Sequence, residues 1–246
     1  MSLRRTAALP LLLATALLQG CASTDALRVG QPDPRDPWEG MNRRVYAFNV
    51  KLDEAVLEPV AQAYVHVLPS LVRTGVRNFM GNLGDVWTFV NAVLQLKGQA
   101  ATETFMRVAV NSTLGLYGVL DVATEAGLEK RREDLGQTLG YWGVRPGPYL
   151  MLPVLGPATV RDGAALLADL QAGPSAYFRD NRTSTGVFLL NATDTRARLQ
   201  QAAGALRAAS LDPYTFVRDG WLQKREYDIH DGNPPTHFDY SDPDAP

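Results

Sequence analysis

Between Leu135 and Pro157 the chain runs LGQTLGYWGVRPGPYLMLPVLGP, a stretch that few kinds of fold can house. It is too apolar for a solvated loop. Pro146, Pro148, Pro153 and Pro157 forbid a continuous helix, because proline lacks an amide donor and clashes with the turn before it. Irregular backbone facing lipid leaves polar groups unmatched, and an apolar loop facing water invites aggregation. The segment must therefore lie against protein or line a wet cavity. Gly136, Gly140, Gly143 and Gly147 leave its backbone free to bend. A Gly/Pro-rich hairpin loop is expected, either as a rigid turn packed into the core or as a mobile element.

Around it the chain is helical in pattern. From Ser70, an expected N-cap after Pro69, apolar residues recur at Leu71, Val72, Val76, Phe79, Met80 and Leu83, while Arg73, Arg77 and Asn78 fall on the other face. Asp85 is expected to cap a second run carrying Trp87, Phe89, Val90, Val93, Leu94 and Leu96. Further helices are expected over Pro37–Leu52, Ala100–Val110, Val160–Leu170, Gly186–Ala209 and Pro213–Arg225, and no pair of alternating runs is joined by a two-residue turn. The fold class is mainly α. The apolar stripes serve either as core or, in a chain tethered to a bilayer, as faces laid into the interface.

The tether is written at the N-terminus. Arg4 and Arg5 precede an apolar run from Ala7 to Leu18 that stops at Gly20 and Cys21. That run falls short of the roughly 20 residues a membrane-crossing helix needs, so it marks a cleaved export signal. LLQGC resembles a bacterial lipobox, with Gln19 polar where that motif usually carries a small or apolar residue; it assigns Cys21, the only cysteine, as the lipid-attachment site. Ala22 follows, not the Asp that resembles an inner-membrane retention signal, which directs the protein to the outer membrane. At the other end, Glu226–Pro246 holds six acidic residues, four prolines and no Lys or Arg, the composition of a disordered tail. Residues 21–225 then carry 22 basic and 20 acidic side chains, a balance that suits no nucleic-acid surface. The organisation expected is a signal peptide over 1–20, a lipidated linker over 21–35, a helical domain over 36–225 and an acidic tail over 226–246.

The search for chemistry yields little. There is no Gly-x-Ser-x-Gly turn, no Ser-x-x-Lys and no phosphate-binding Gly-x-x-x-x-Gly-Lys loop. His66, His230 and His237 have no company suited to a metal or a triad. Glu133 and Asp134, adjacent on the chain, suit helix capping better than acid–base catalysis. NST at Asn111–Thr113, followed by LGLYG, is a helix stop and loop restart. No enzyme, metal or cofactor is expected. Trp38, Met41, Tyr46 and Phe48 are available to a membrane interface, where amphipathic aromatics settle. Asn42 and Asn49, seven apart, share one face, suited to capping or core hydrogen bonding, or else to lining a pore.

Six stretches in order carry a resemblance: DPWEGMNRRVYAFN (Asp36–Asn49), RNFMGNL (Arg77–Leu83), RVAVNSTLG (Arg107–Gly115), EDLGQTLGYWGVRPGPYLMLPVLGP (Glu133–Pro157), Arg161–Asp162, and DPYTFVRDGWLQKR (Asp212–Arg225). Together they resemble the MlaA family, also called VacJ lipoproteins. The resemblance implies a ring of amphipathic helices lying in the membrane plane, around an amphipathic channel on the periplasmic side of a Gram-negative outer membrane. It also implies removal of mislocalised phospholipid from the outer leaflet, with trimeric porins and a periplasmic MlaC-like lipid carrier as partners. Similar proteins place a mobile loop beside the channel at the Gly/Pro-rich segment, which makes Gly136, Gly140, Tyr141, Trp142, Gly143, Gly147 and Tyr149 candidates for the lipid path or its gate. Asn42, Tyr46, Phe48 and Asn49 form the candidate N-terminal motif. Arg73, Arg77, Arg107 and Arg145 are possible phosphate contacts, with salt-bridge or solvent-facing roles equally open. The alternative is a structural or adaptor lipoprotein that docks on a porin without moving lipid.

Overall fold

The computed structural model describes residues 33–234. The export signal, Cys21 and most of the linker, together with residues 235–246, lie outside the described residues. In chain order come α1 (Glu39–Leu52), a π-helical stretch (Asp53–Leu57), α2 (Glu58–Val67), α3 (Ser70–Leu94), α4 (Gly98–Thr113), α5 (Val122–Glu125) and α6 (Leu135–Tyr141). Strands β1 (Tyr149–Leu152) and β2 (Gly156–Thr159) follow, then α7 (Val160–Ala172), a 3-10 turn (Pro174–Tyr177), α8 (Asn181–Ala209) and α9 (Pro213–Ile229). The fold is mainly α, as expected from the sequence.

Local chemistry accounts for most boundaries. Pro59 has no N–H, and its ring would collide with the carbonyl four residues back; the helix widens ahead of it, and the Glu58 N–H reaches back five residues to the Asp53 carbonyl. Asp121, Asp134, Thr159 and Asp212 accept backbone N–H bonds at the starts of α5, α6, α7 and α9, so that orphan donors there are matched.

α3 departs from expectation. Ser70 is its first residue and makes no side-chain cap, and the helix runs unbroken through Asp85 to Leu94. Asp85 lies buried inside it, bonded to Lys130, and faces Arg107 of α4. The buried stripe is polar: Asn82, Asp85, Thr88, Asn91 and Gln95 recur every three or four residues along one face. Of the apolar positions that had marked the helix, Leu71, Val72, Val93, Leu94 and Leu96 are exposed, Met80 is buried, and the rest are half-buried. Asn82 pairs with Ser112 and Asp85 with Arg107, so α4 runs antiparallel to α3. Small residues at the shared turn, Ala92, Ala100 and Ala101, let the two helices close together.

The segment after α6 holds a hairpin the alternation pattern had not revealed. β1 and β2 pair antiparallel in register Tyr149↔Thr159 to Leu152↔Gly156. Each strand is four residues long, and Pro157, which cannot donate to a ladder, sits in the second. A strand pair this short and proline-bearing leaves no alternation to detect. The hairpin packs through Tyr149 and Met151 onto Tyr214 and Leu222 of α9. α9 continues past the expected tail boundary at Arg225 to Ile229, which is buried, and a turn extends to Asn233. Composition pointed to disorder from Glu226, but Ile229 supplies an apolar anchor that carries the helix on.

Candidate functional site

The Gly/Pro-rich segment is bracketed by three helices, and each holds it differently. α1 lies along the outer edge of β1. There the Asn42 amide donates to the Tyr149 carbonyl at 3.1 Å and accepts from the Met151 N–H at 2.9 Å. Two turns on, Asn49 donates to the Leu152 carbonyl at 2.9 Å and accepts from the Val154 N–H at 2.8 Å. A primary amide carries one donor side and one acceptor side, like a peptide group. The two asparagines thus replace a third strand, and of the two roles left open for them core hydrogen bonding is the one seen. Asn42 is 0% exposed and also donates to Asp36, whose carboxylate takes the Tyr214 hydroxyl at 2.5 Å. Tyr46, half-buried, packs edge-on against Tyr214 at the border of the core, whereas Trp38, Met41 and Phe48 are exposed.

At the near end, α6 is locked by charge. Asp134 caps it through the Gln137 N–H at 2.8 Å and receives two bonds of 2.6 Å from Arg225 of α9. Arg225 also reaches Asp162 of α7 at 2.8 Å. Burial works against the Asp134 charge, but the Arg225 guanidinium outweighs it and holds the carboxyl below its usual range. Gly136 and Gly140 belong to this lock. A Cβ on Gly136 would stand 2.3 Å from the Arg225 guanidinium and 2.4 Å from Asp162, and one on Gly140 would stand 2.8 Å from both Arg161 and Ile229. They are required for close approach, which corrects the idea that they supply bending.

In the connection that follows, the Val144 and Pro146 carbonyls accept from Arg161 and the Pro148 carbonyl from the Val160 N–H. Gly143 and Gly147 have φ of +83° and +67°, and a Cβ at Gly143 would meet open space. Tyr141, Trp142, Val144, Val154 and Leu155 form an exposed apolar border. Trp142 donates to the Leu94 carbonyl at 3.2 Å, and Tyr141 lies 5.3 Å from the Lys97 ammonium. A cavity of about 230 Å³, lined by Pro34, Arg35, Pro146, Gly147, Pro148 and Leu222, opens at the hairpin base. It is below the roughly 300–1,000 Å³ of drug-sized sites, too small for a two-tailed lipid. Of the expected residues, Asn42, Asn49, Tyr149 and Tyr46 therefore meet around the hairpin, Gly136 and Gly140 sit in the α6 lock, and Tyr141, Trp142, Gly143 and Gly147 form its exposed margin. Phe48 joins none of these groups.

The polar seam between α3 and α4 holds a network of ion pairs around Asp85, Arg107 and Asp121. Arg107, 1% exposed, donates to both oxygens of Asp121, to Thr124 and to the Leu128 carbonyl. It is a structural ion pair, out of reach of an external phosphate. Burial alone would push the Asp121 carboxyl up; hydrogen bonds from Thr124 and Asn111 and the Arg107 charge prevail and hold it at about 2. Asn111 donates to Asp121 and accepts from the Ala123 N–H, so NST does end a helix and restart the chain. Gln95 binds Glu133 and Thr138, tying the seam to α6. Arg73 and Arg77 engage the Leu68 carbonyl and Thr74. Arg145 lies exposed on the border after α6. Sequence reasoning missed Asp36, Tyr214, Gln95 and Lys97, because each acquires its role only from residues distant along the chain.

Among the described residues no group of three or more His, Cys, Asp or Glu side chains is arranged to hold a metal ion. No described helix by itself is long and apolar enough to cross a membrane. A family model described as MlaA lipoprotein matches residues 34–228. The intermembrane phospholipid transport system lipoprotein MlaA of Shigella flexneri is 37% identical over 226 residues, covering 90% of this chain and 88% of that protein. Its namesake in Haemophilus influenzae is 29% identical over 235 residues, covering 90% and 89%. A solved structure described as "Structural basis for maintenance of bacterial outer membrane lipid asymmetry" is 36% identical, with a TM-score of 0.70, covering 79% of this chain and 98% of that one.

Proposed function

The chain belongs to the MlaA lipoprotein family, and from that premise we propose that it removes mislocalised phospholipid from the outer leaflet of a Gram-negative outer membrane and passes it to a periplasmic carrier. The observation that carries this reading is an inversion. The buried face of the longest continuous seam is polar, from Asn82 to Gln95, while large apolar side chains such as Leu71, Phe105, Leu116, Trp142 and Leu167 face outward. A protein dissolved in water arranges these the other way, and one surrounded by hydrocarbon has reason to arrange them so. On this reading Cys21 is acylated, the helices lie in the periplasmic leaflet as a ring, and the partners are phospholipid, a trimeric porin and an MlaC-like carrier. No catalysis is needed, since the lipid is moved and not altered.

The gate, on the same reading, is narrower than the whole Gly/Pro-rich segment. Gly136, Gly140 and Tyr149 are fixed by packing, Asn42 and Asn49 clamp β1, and Val160 and Arg161 bond the Val144, Pro146 and Pro148 carbonyls, so on this reading the gate is the exposed margin around Tyr141, Trp142 and Gly143 together with the hairpin tip. Deleting the gene should raise outer-leaflet phospholipid, measured by surface-accessible headgroup labelling, together with detergent sensitivity. Gly143→Pro and Gly147→Pro should reproduce that rise while the protein stays membrane-bound. Normal asymmetry in the deletion strain overturns the proposal; normal asymmetry in both variants, combined with its loss when porin binding is abolished, favours the adaptor reading.

A further inference from the structure

α6 ends on a margin that its own helix does not hold. Gly143, at φ +83°, closes the helix with its N–H on the Gly140 carbonyl, and the Val144 N–H closes on the Leu139 carbonyl. Tyr141 and Trp142 are left exposed, and they rest on the turn between α3 and α4. There the Trp142 indole donates to the carbonyl of Leu94, the last residue of α3, and the Tyr141 ring centroid stands 5.3 Å from the Lys97 ammonium.

Lys97 is held more firmly than the ring it touches. Its side chain is only 10% exposed, a setting in which lysine is rarely found without partners. Of the donors an ammonium carries, Asp231 of the C-terminal turn takes one at 2.7 Å and the buried Glu133 carboxylate another at 3.4 Å, with the Tyr141 ring as a further contact. Glu133 is itself pinned by Gln95 at 2.9 Å, and Gln95 also donates to Thr138, one turn before Tyr141. The ammonium therefore cannot follow the ring if the margin swings out. The backbone is committed to the same placement. Leu96 adopts φ +56° at a helix end where glycine is usual, and at 88% exposure its own side chain does not repay that strain. What the turn delivers is Lys97, whose N–H closes on the Ala92 carbonyl at 3.0 Å and whose side chain enters the contact with Asp231, Glu133 and Tyr141. The grip on the margin is weak by comparison. A cation–ring contact and a single hydrogen bond at an exposed site each shift an equilibrium by a factor of about 2–10. A firm anchor joined to a weak grip is how a latch lets go reversibly.

We propose that Lys97 is a latch on the gate: anchored by Glu133 and Asp231, it holds Tyr141, and with it Trp142, against the turn between α3 and α4, and breaking that contact frees the margin. This rests on the gate reading above, and its test separates the two. The four tryptophans of the full-length protein, exchanged for 5-fluorotryptophan and read by fluorine NMR in detergent, include a Trp142 line identified by its loss in Trp142→Phe. Lys97→Met should shift and narrow that line, because a released indole moves faster, while the Trp38, Trp87 and Trp221 lines stay in place. Lys97→Arg, whose guanidinium also sits over an aromatic ring, should keep it where it is. Tyr141→Leu leaves the anchor intact and should move the Trp142 line likewise, with the double variant moving it no further than either change alone. An unmoved Trp142 line in Tyr141→Leu, or additive shifts, overturns the latch whatever Lys97→Met does to the fold. In cells, Lys97→Met and Tyr141→Leu should raise outer-leaflet phospholipid and Lys97→Arg should not; a freed Trp142 with normal asymmetry overturns the gating role. Normal asymmetry in the deletion strain is a different result, since it sinks the transport reading from which the latch takes its purpose.

Discussion

Asn42 shows how one side chain can decide whether an element exists. Its amide matches the Tyr149 carbonyl and the Met151 N–H, both buried, and also touches Asp36. Asn42→Leu should therefore cost about 1–3 kcal/mol for each group left unpaired. Amide hydrogen exchange at Met151 should quicken by tenfold or more; unchanged protection would show that β2 alone holds β1. Asn49→Ala, at a half-buried position, should quicken exchange at Val154 and leave Met151 nearly unaffected. Asp121 supplies a pH dependence. Its carboxyl is held at about 2, against an ordinary value near 4, by hydrogen bonds that overcome burial. The folded state thus binds its proton less readily than the unfolded one, and the stability this contributes is present above pH 4 and lost as pH falls toward 2. Unfolding midpoints measured across that window should fall, and Asp121→Asn should lower the midpoint at neutral pH while flattening the acid slope. The shared face of Asn42 and Asn49 was legible from their spacing of seven. Their partner was not, because it is a strand four residues long.

At the scale of elements, the longer helices were legible from their apolar spacing, whereas α2, α5 and α6 were not expected although Pro59, Asp121 and Asp134 stand at their starts. Which face the longer helices bury was not legible. The pattern along α3 marks a helix equally well whether its apolar side meets protein or lipid, since periodicity reports segregation and not direction. Only the pairings of Asp85 with Lys130 and of Asn82 with Ser112 show that the polar side is inside. The Gly/Pro-rich segment has the same ambiguity, because a glycine that must bend and a glycine that must let a neighbour approach are identical in sequence. Substitution by alanine separates them. Gly136→Ala and Gly140→Ala force a Cβ against Arg225, Asp162, Arg161 or Ile229, and each should cost about 1–3 kcal/mol through overpacking. Gly143→Ala meets open space and carries only the left-handed backbone cost of about 1–2 kcal/mol. Thermal unfolding ranks them directly. Equal losses at all three positions would show that the α6 lock yields more readily than its distances suggest.

For the molecule as a whole, the C-terminal end of α9 ties together parts that sequence alone would have separated from it. Ile229 is buried against α6 beside Gly140, the Asp231 carboxylate accepts from Lys97 at the α3–α4 turn, and the Gly232 N–H closes the helix on the Tyr227 carbonyl. Lys97 in turn contacts Glu133, which Gln95 also holds, so this C-terminal turn reaches the polar seam and the α6 lock through one lysine. A chain truncated after Arg225 keeps the Asp134 and Asp162 ion pairs but loses Ile229 and the Lys97 contact. Loss of a buried isoleucine contributes about 2–5 kcal/mol, whereas the Asp231–Lys97 pair, exposed at its carboxylate, contributes at most about 1 kcal/mol. Truncation after Arg225 should therefore lower the unfolding midpoint sharply, and Asp231→Asn alone should reproduce only a small part of the drop. If Asp231→Asn matches the full truncation, charge and not the Ile229 anchor closes the domain.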